Sequence, residues 1–367
     1  MRRREFLGAI PMAKFQTPVL ADPLDRAAGL LSRAAERGQL RAATLYVRKG
    51  RNTFARAFGE AKSIDTIFLI ASITKPMTAA GVMLLSDRGA LKLSDPVSRY
   101  LPEFQEGDRK FVTIRHLLTH TSGLPDQLPE NVELRRRHAP LGDFVAGALK
   151  TPLLFKPGAR VSYQSMGILL AAEIAERVTG KPFPEFLHQE LFRPLGMRRT
   201  ALGLGAFKIP ETAQCQVDKA PGIYGGGAAD MKSWDWNSRY WRNLAAPWGG
   251  AHSTAPDIAR FLEYFLLPGK GPLKRSTAAA MVANQNYGLN EPWGIGFSVK
   301  PGSFGRACSP RTFGHSGSTG TLCWADPAAG ATFVILTTLP ADVSGKTLLR
   351  PVSDLASEAV TSRSSPA

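Results

Sequence analysis

A serine and a lysine stand three residues apart in Ala71-Ser72-Ile73-Thr74-Lys75, at the head of an apolar run over residues 77–85. On a helix, positions i and i+3 share a face. The pair therefore has the parts for covalent catalysis, a hydroxyl nucleophile and an amine that helps deprotonate it. An amide at a helix N-terminus also lacks an intrahelical partner and points at developing negative charge. A two-residue pattern is expected about once by chance in a chain of this length. The competing reading of Ser72 and Lys75 is an N-cap serine beside an exposed lysine.

Further along lie Tyr163-Gln164-Ser165 and His315-Ser316-Gly317-Ser318. A lone tyrosine is more often a core residue than a base, and a lone histidine more often structural. Only their order behind Ser72 reverses that weighting. His116 and His120 are four apart, but no third ligand of the H-E-x-x-H kind accompanies them, so they read as structural. Gly345-Lys346-Thr347 mimics the end of a P-loop, yet Pro340 stands where the upstream glycine is required. No G-x-S-x-G nucleophile elbow occurs.

The elements that must hold these groups fall into three segments. Residues 22–40 have apolar spacing for an amphipathic helix, and 42–47 and 53–58 read as strands joined by a Lys-Gly-Arg-Asn turn. A short apolar stretch, 66–70, leads into Ser72, and the helix carrying Lys75 runs to about Arg88 before Gly89. Short helical pieces then follow, at 95–100, 113–119, 141–149, 165–178 and 183–191. His120 to Pro125 forms a tight turn among them. Strand patterns return at 294–299, 321–325 and 331–338, with 315–318 as a turn-rich stretch, and a helix over 341–360 closes the chain. The expected fold class is α/β (α+β), an antiparallel sheet flanked by helices. Residues 22–90 and 246–360 form one discontinuous domain and 91–245 a mostly helical insertion, with 361–367 as a tail. Residues 201–247 resist assignment. Their tryptophans Trp234, Trp236 and Trp241, with Trp248 just beyond, either wall a pocket for an apolar acyl group or pin a loop to the core.

Of 367 residues, 44% are hydrophobic and 21% charged, an ordinary globular composition. No apolar run reaches the ~20 residues of a membrane span. The net charge of +16 suits anionic partners such as cell-wall polymers. The basic residues are dispersed and carry no nucleic-acid motif, so no nucleic-acid partner is expected. Three cysteines, Cys215, Cys308 and Cys323, fit no metal spacing and read as buried thiols, the alternative being a Cys308–Cys323 pair in an oxidising compartment. At the N-terminus, Arg3-Arg4-Glu5-Phe6-Leu7 followed by Val19-Leu20-Ala21 reads as a twin-arginine export signal over residues 1–21, giving a periplasmic or extracellular protein.

In this order the motifs resemble the serine β-lactamase and penicillin-binding protein superfamily, above all the class C β-lactamases and their esterase relatives. That branch carries S-x-x-K, then Y-x-N or Y-x-S, then K-T-G or H-x-G. The similarity spans roughly residues 22–357 and includes Leu117 to Leu124, Pro194-Leu195-Gly196-Met197 and Gly314 to Gly320. It implies a β-lactamase/transpeptidase-like fold and an acyl-enzyme on Ser72, with Lys75, Tyr163 and His315 as catalytic groups. It also implies an oxyanion hole from the amides of Ser72 and Ser318. Ser165, Ser316, Gly317 and Trp248 become candidate substrate contacts, Gly317 by letting its strand approach the substrate closely. No cofactor or metal is implied.

Two departures redirect the substrate. His315 replaces a permanently cationic lysine suited to carboxylates, and Ser165 replaces an asparagine suited to amides. The expected activity is therefore a carboxylesterase of small or aromatic-acyl esters. The alternatives are a β-lactamase or D-amino-acid peptidase, and an inactive relative that binds cell-wall glycopeptide through its basic surface.

Overall fold

The computed structural model describes residues 21–362 apart from 268 and 270. The export-signal stretch and the last five residues lie outside the described residues. Eight strands are present among those described: β1 (Ala42–Lys49), β2 (Asn52–Gly59), β3 (Phe68–Leu69), β4 (Ala201–Leu202), β5 (Ala251–Ser253), β6 (Phe313–Gly317), β7 (Thr321–Asp326) and β8 (Ala331–Thr337). Five form one antiparallel sheet in the order β2-β1-β8-β7-β6. All five come from the two segments assigned above to the discontinuous domain. The chain's ends meet at its centre, where Leu45 lies opposite Ile335.

The sheet is covered on both faces, so β7 and β8 are buried at every position. Alternate side chains serve different cores, as the two-residue strand period requires. Leu45, Trp324, Phe333 and Ile335 pack with Leu24 and Leu31 of the Ala21–Glu36 helix and Val352 and Ala356 of the Arg350–Thr361 helix. Cys323, Val334 and Leu336 face the other way, into a larger core shared with the Ala255–Leu266 helix and the inserted region. β2, at the sheet edge, is largely exposed.

A second, three-stranded sheet has the order β3-β5-β4. Its centre, β5, was not anticipated from the sequence, being three residues long. It fixes β3, which runs straight into Ser72, through the register Phe68 to Ser253 and Leu69 to His252. The inserted region is built of short helices. Its longest, Met166–Thr179, packs against the Thr74–Asp87 helix that carries Lys75. Arg135 is fully buried there and donates to the carbonyls of Ile223 and Trp234, tying down the stretch that resisted assignment.

Three expectations need correction. Residues 315–318 are not a turn-rich stretch: His315, Ser316 and Gly317 lie in β6, and only Ser318 falls in the turn beyond it. Residues 294–299 are not a strand. Gly296 takes φ +78°, which breaks the extended run, and only isolated bridges join Ser298 to Trp293 and Gly314. The closing helix is two α-helices, Ala341–Ser344 and Arg350–Thr361, joined by a π-turn, Gly345–Leu349.

Candidate active site

Ser72 sits in a single 3-10 turn, Ala71–Ile73, immediately before the Thr74–Asp87 helix. Its neighbour Ala71 has φ +46°, a left-handed conformation unusual for a residue with a Cβ. Such strain persists only where the surroundings over-determine it. Here threonine hydroxyls hold the turn. Thr319 Oγ1 donates to the Leu69 carbonyl at 2.8 Å, Thr321 Oγ1 to Ile70 at 3.0 Å and Thr74 Oγ1 to Ala71 at 2.6 Å. Thr74 Oγ1 in turn accepts from the Ala251 amide of β5. Pro76 falls in the helix's first turn, where a missing N–H costs nothing.

Lys75 is fully buried and reaches back along the helix. Its Nζ donates to Ser72 Oγ at 3.0 Å and to the Trp248 carbonyl at 2.9 Å. Burial lowers its pKa from 10.5 to about 8, against the opposing pull of Asp126. At pH 7 about a tenth of Lys75 is then neutral, against less than a thousandth for a free lysine. This pair can pass a proton from hydroxyl to amine.

Tyr163 faces the pair, with Lys75 Nζ 4.7 Å from its ring centroid. Burial is the main influence raising its pKa well above 10, Asp126 adds to the rise, and a hydrogen bond with Ser72 opposes it. Tyr163 as a residue is nonetheless 37% exposed, and solvent screening tempers the rise. The phenol remains protonated at neutral pH. His120 packs 4.7 Å from the Tyr163 ring and 4.7 Å from Trp293. It accepts the Gln164 amide through Nδ1, and its carbonyl accepts from Ser162, so it brackets Tyr163 on both sides in sequence. His116 accepts the Thr113 amide in a capping box.

His315 lies 6.0 Å from Tyr163 between ring centroids. Its Nδ1 lies 2.7 Å from the Ser316 carbonyl, which assigns the ring proton to Nδ1. Burial, with Lys75 as a further cause, lowers its pKa to about 3. It is a neutral imidazole throughout the physiological range. Ser316 is exposed on β6.

Ser72 and Ser318 both border a narrow cavity of about 40 Å³. Among the described residues neither amide donates a backbone hydrogen bond, leaving two N–H groups beside the Ser72 hydroxyl. Gly317 precedes Ser318 where the chain has no room for a side chain. A Cβ there would fall 2.5 Å from the Ile70 carbonyl oxygen and overlap Thr321 Oγ1. That glycine serves the close approach of β6 to the Ser72 turn, a different reason from the substrate approach anticipated above.

Trp236, Trp241 and Trp248 wall the cavity with Tyr224, whereas Trp234 packs against Arg135 away from it. Ser165 also borders the cavity, but its hydroxyl is committed to Asp126 Oδ1 at 2.6 Å. Asp126 and Tyr224 were not among the residues anticipated. Asp126 directly follows the His120–Pro125 turn, so the signal that could have found it was its place beside that turn. All three cysteines are free thiols, and among the described residues no cluster suited to a metal occurs.

Comparison with known proteins agrees with this geometry. A family model described as Beta-lactamase matches residues 27–356. Esterase EstB of Burkholderia gladioli is 31% identical over 348 residues, covering 85% of this chain and 86% of the esterase. A putative D-alanyl-D-alanine carboxypeptidase of Escherichia coli K12 is 25% identical over 336 residues, covering 81% of this chain and 77% of that protein. The solved structure of EstCE1, a hydrolase with promiscuous acyltransferase activity, superposes with a TM-score of 0.73 at 22% identity, covering 94% of this chain and 99% of that one. With its antiparallel sheet and helical layers, the chain belongs to the β-lactamase family and is a serine hydrolase.

Proposed function

We propose that this serine hydrolase is a carboxylesterase of small acyl esters, acting through an acyl-enzyme on Ser72. The observation that carries the reading is the charge around the nucleophile. Among the described residues that border the cavity there is no arginine or lysine, His315 is neutral, Asp126 is present, and the Lys75 ammonium behind Ser72 is engaged by Ser72 Oγ and the Trp248 carbonyl. A substrate carboxylate of the β-lactam or peptide-stem kind finds no cation at the His315 position and meets a repulsive charge at Asp126. The aromatic wall and a volume for about three waters suit a short acyl chain better than an aromatic one. Similarity to Esterase EstB over most of both chains supports the same reading.

In this reading neutral Lys75 takes the Ser72 proton as Oγ bonds to the ester carbonyl carbon. The carbonyl oxygen becomes an oxyanion between the Ser72 and Ser318 amides, where each donor is worth about 3 kcal/mol. The intermediate collapses as the C–O bond to the alcohol breaks. Tyr163 gives its proton to the departing alkoxide and is reprotonated by the Lys75 ammonium, which restores a neutral amine. A water molecule then attacks the acyl-enzyme along the reverse route, releasing the acid and Ser72. Ordinary phenol acidity would leave Tyr163 a poor first base, and its raised pKa makes it a donor.

Turnover of 4-nitrophenyl acetate and butyrate tests the proposal. Ser72→Ala is expected to lose about a thousandfold or more. Wild-type rates no higher than that variant's would rule the esterase out. The similarity to a putative carboxypeptidase keeps D-peptide or β-lactam chemistry as the second reading. Nitrocefin turnover or penicillin labelling of Ser72 that outpaces ester hydrolysis would favour it.

A further inference from the structure

The hydrolytic steps leave one group at the cavity without a task. Asp126 lines the same narrow space as Ser72 and Ser318. One of its oxygens, Oδ1, accepts from Ser165 at 2.6 Å. No other hydrogen bond to its side chain, and no salt bridge with it, is formed among the described residues. A carboxylate can accept at about four lone-pair positions, so one hydroxyl leaves most of that capacity unused.

The charge works against catalysis in the empty site. It pulls upward on the pKa of Lys75, which must lose a proton, and of Tyr163 and Tyr224. Much of the wall is aromatic, with Gln127 beside Asp126. Tyr224, Trp236, Trp241 and Trp248 present surfaces whose faces attract cations as well as apolar groups. A carboxylate beside aromatic faces, whose field reaches Lys75 but which forms no salt bridge with it among the described residues, has the chemistry of an ammonium site.

We propose that Asp126 is a specificity residue that receives a protonated amine on the acyl half of the substrate, making short aminoacyl esters the preferred class. The proposal rests on the serine esterase reading above. The cavity is narrow, which favours a short acyl chain with the amine two or three bonds from the carbonyl, as in glycyl or 3-aminopropanoyl groups. The arrangement also explains why a charge that hinders Lys75 is tolerated. An ammonium bound beside Asp126 cancels its field and releases Lys75 toward the neutral form only when this substrate is present.

The test compares isosteres that differ in charge: 4-nitrophenyl 3-aminopropanoate against butyrate, and glycinate against propionate, each corrected for spontaneous hydrolysis at pH 7. The quantity read is the ratio of kcat/KM within a pair. An effect of Asp126 on Lys75 in the free enzyme acts on both members alike, so the ratio moves only where the substrate ammonium meets Asp126. The expected ratio in wild type is about tenfold or more in favour of the cation. It falls to near one in Asp126→Asn and recovers in part in Asp126→Glu. A ratio near one in wild type, with the neutral esters turned over, overturns the proposal and leaves the esterase standing. A preference that persists in Asp126→Asn overturns it as well. If no ester is turned over above Ser72→Ala, the esterase reading fails by itself. Calorimetric binding of 3-aminopropanamide against butanamide, in wild type and Asp126→Asn, then decides. Amine-selective binding that requires Asp126 supports the ammonium site, and equal or absent binding refutes it.

Discussion

Lys75 is held under two opposed demands. Its amine must be within reach of Ser72, which places it in the protein interior, and the interior disfavours its charge. A pKa held at about 8 in place of 10.5 corresponds to roughly 3 kcal/mol of destabilisation at neutral pH. The sign follows from proton counting. Between pH 8 and 10.5 the unfolded chain binds the proton and the folded chain does not, so stability rises with pH across that window. Below pH 8 both states are protonated and the full cost is present. Replacing Lys75 with Met should abolish hydrolysis and raise the melting temperature at pH 7, and the gain should shrink as the pH approaches 10. A variant no more stable than wild type at pH 7 would show that the hydrogen bonds to Ser72 and Trp248 offset the burial cost. At this scale the motif residues Ser72, Lys75 and Tyr163 were legible because their chemistry fixes their types and order. Asp126 was not, because a specificity group needs only a position on the cavity wall, and its place beside the His120–Pro125 turn did not say which way its side chain would face.

At the scale of elements, catalysis depends on the seam between β6 and the turn that holds Ser72. The strain at Ala71 is contained by threonines from three places, Thr74, Thr319 and Thr321. The seam closes only because Gly317 has no side chain. Gly317→Ala should push β6 away from Ile70 and displace the Ser318 amide. The expected loss in kcat is about a hundredfold, the scale of one oxyanion donor, with a smaller change in KM. Steady-state kinetics on 4-nitrophenyl butyrate checks this, and a variant with unchanged kcat would place the functional donor elsewhere. The same glycine explains why the sequence was misleading here. Residues 315–318 read as a turn-rich stretch, yet Gly317 lies in a strand where close backbone approach, not chain reversal, requires it. Residues 294–299 erred the other way, since alternating apolar residues suggested a strand that the left-handed Gly296 interrupts.

For the whole molecule, the sheet joins the two ends of the chain and the site lies where the inserted region meets it. The alternation of β1, β7 and β8 between two cores made the sheet legible, since each strand reads as a continuous apolar run. The stretch over 201–247 was opaque for a physical reason. It has little regular structure, and it is held by buried side chains from elsewhere in sequence, Arg135 above all. Leu31 of the first long helix is fully buried between the sheet and the Arg350–Thr361 helix. Leu31→Ala should therefore cost about 3 kcal/mol in urea unfolding although it is remote from Ser72. The folded fraction should keep its kcat. A fall in kcat with no loss of stability would mean that this core tunes the site directly.

The mechanism rests on Ser72 as the nucleophile and Lys75 as its base. The most direct measurement is the rate at which a fluorophosphonate labels the folded protein between pH 6 and 10, with the adduct located by peptide mass spectrometry. A single adduct on Ser72 is expected, forming at a rate that rises with pH and levels off above about 8, as Lys75 becomes neutral. An adduct on another residue, or labelling of Ser72 at a rate that does not change across this range, would contradict it.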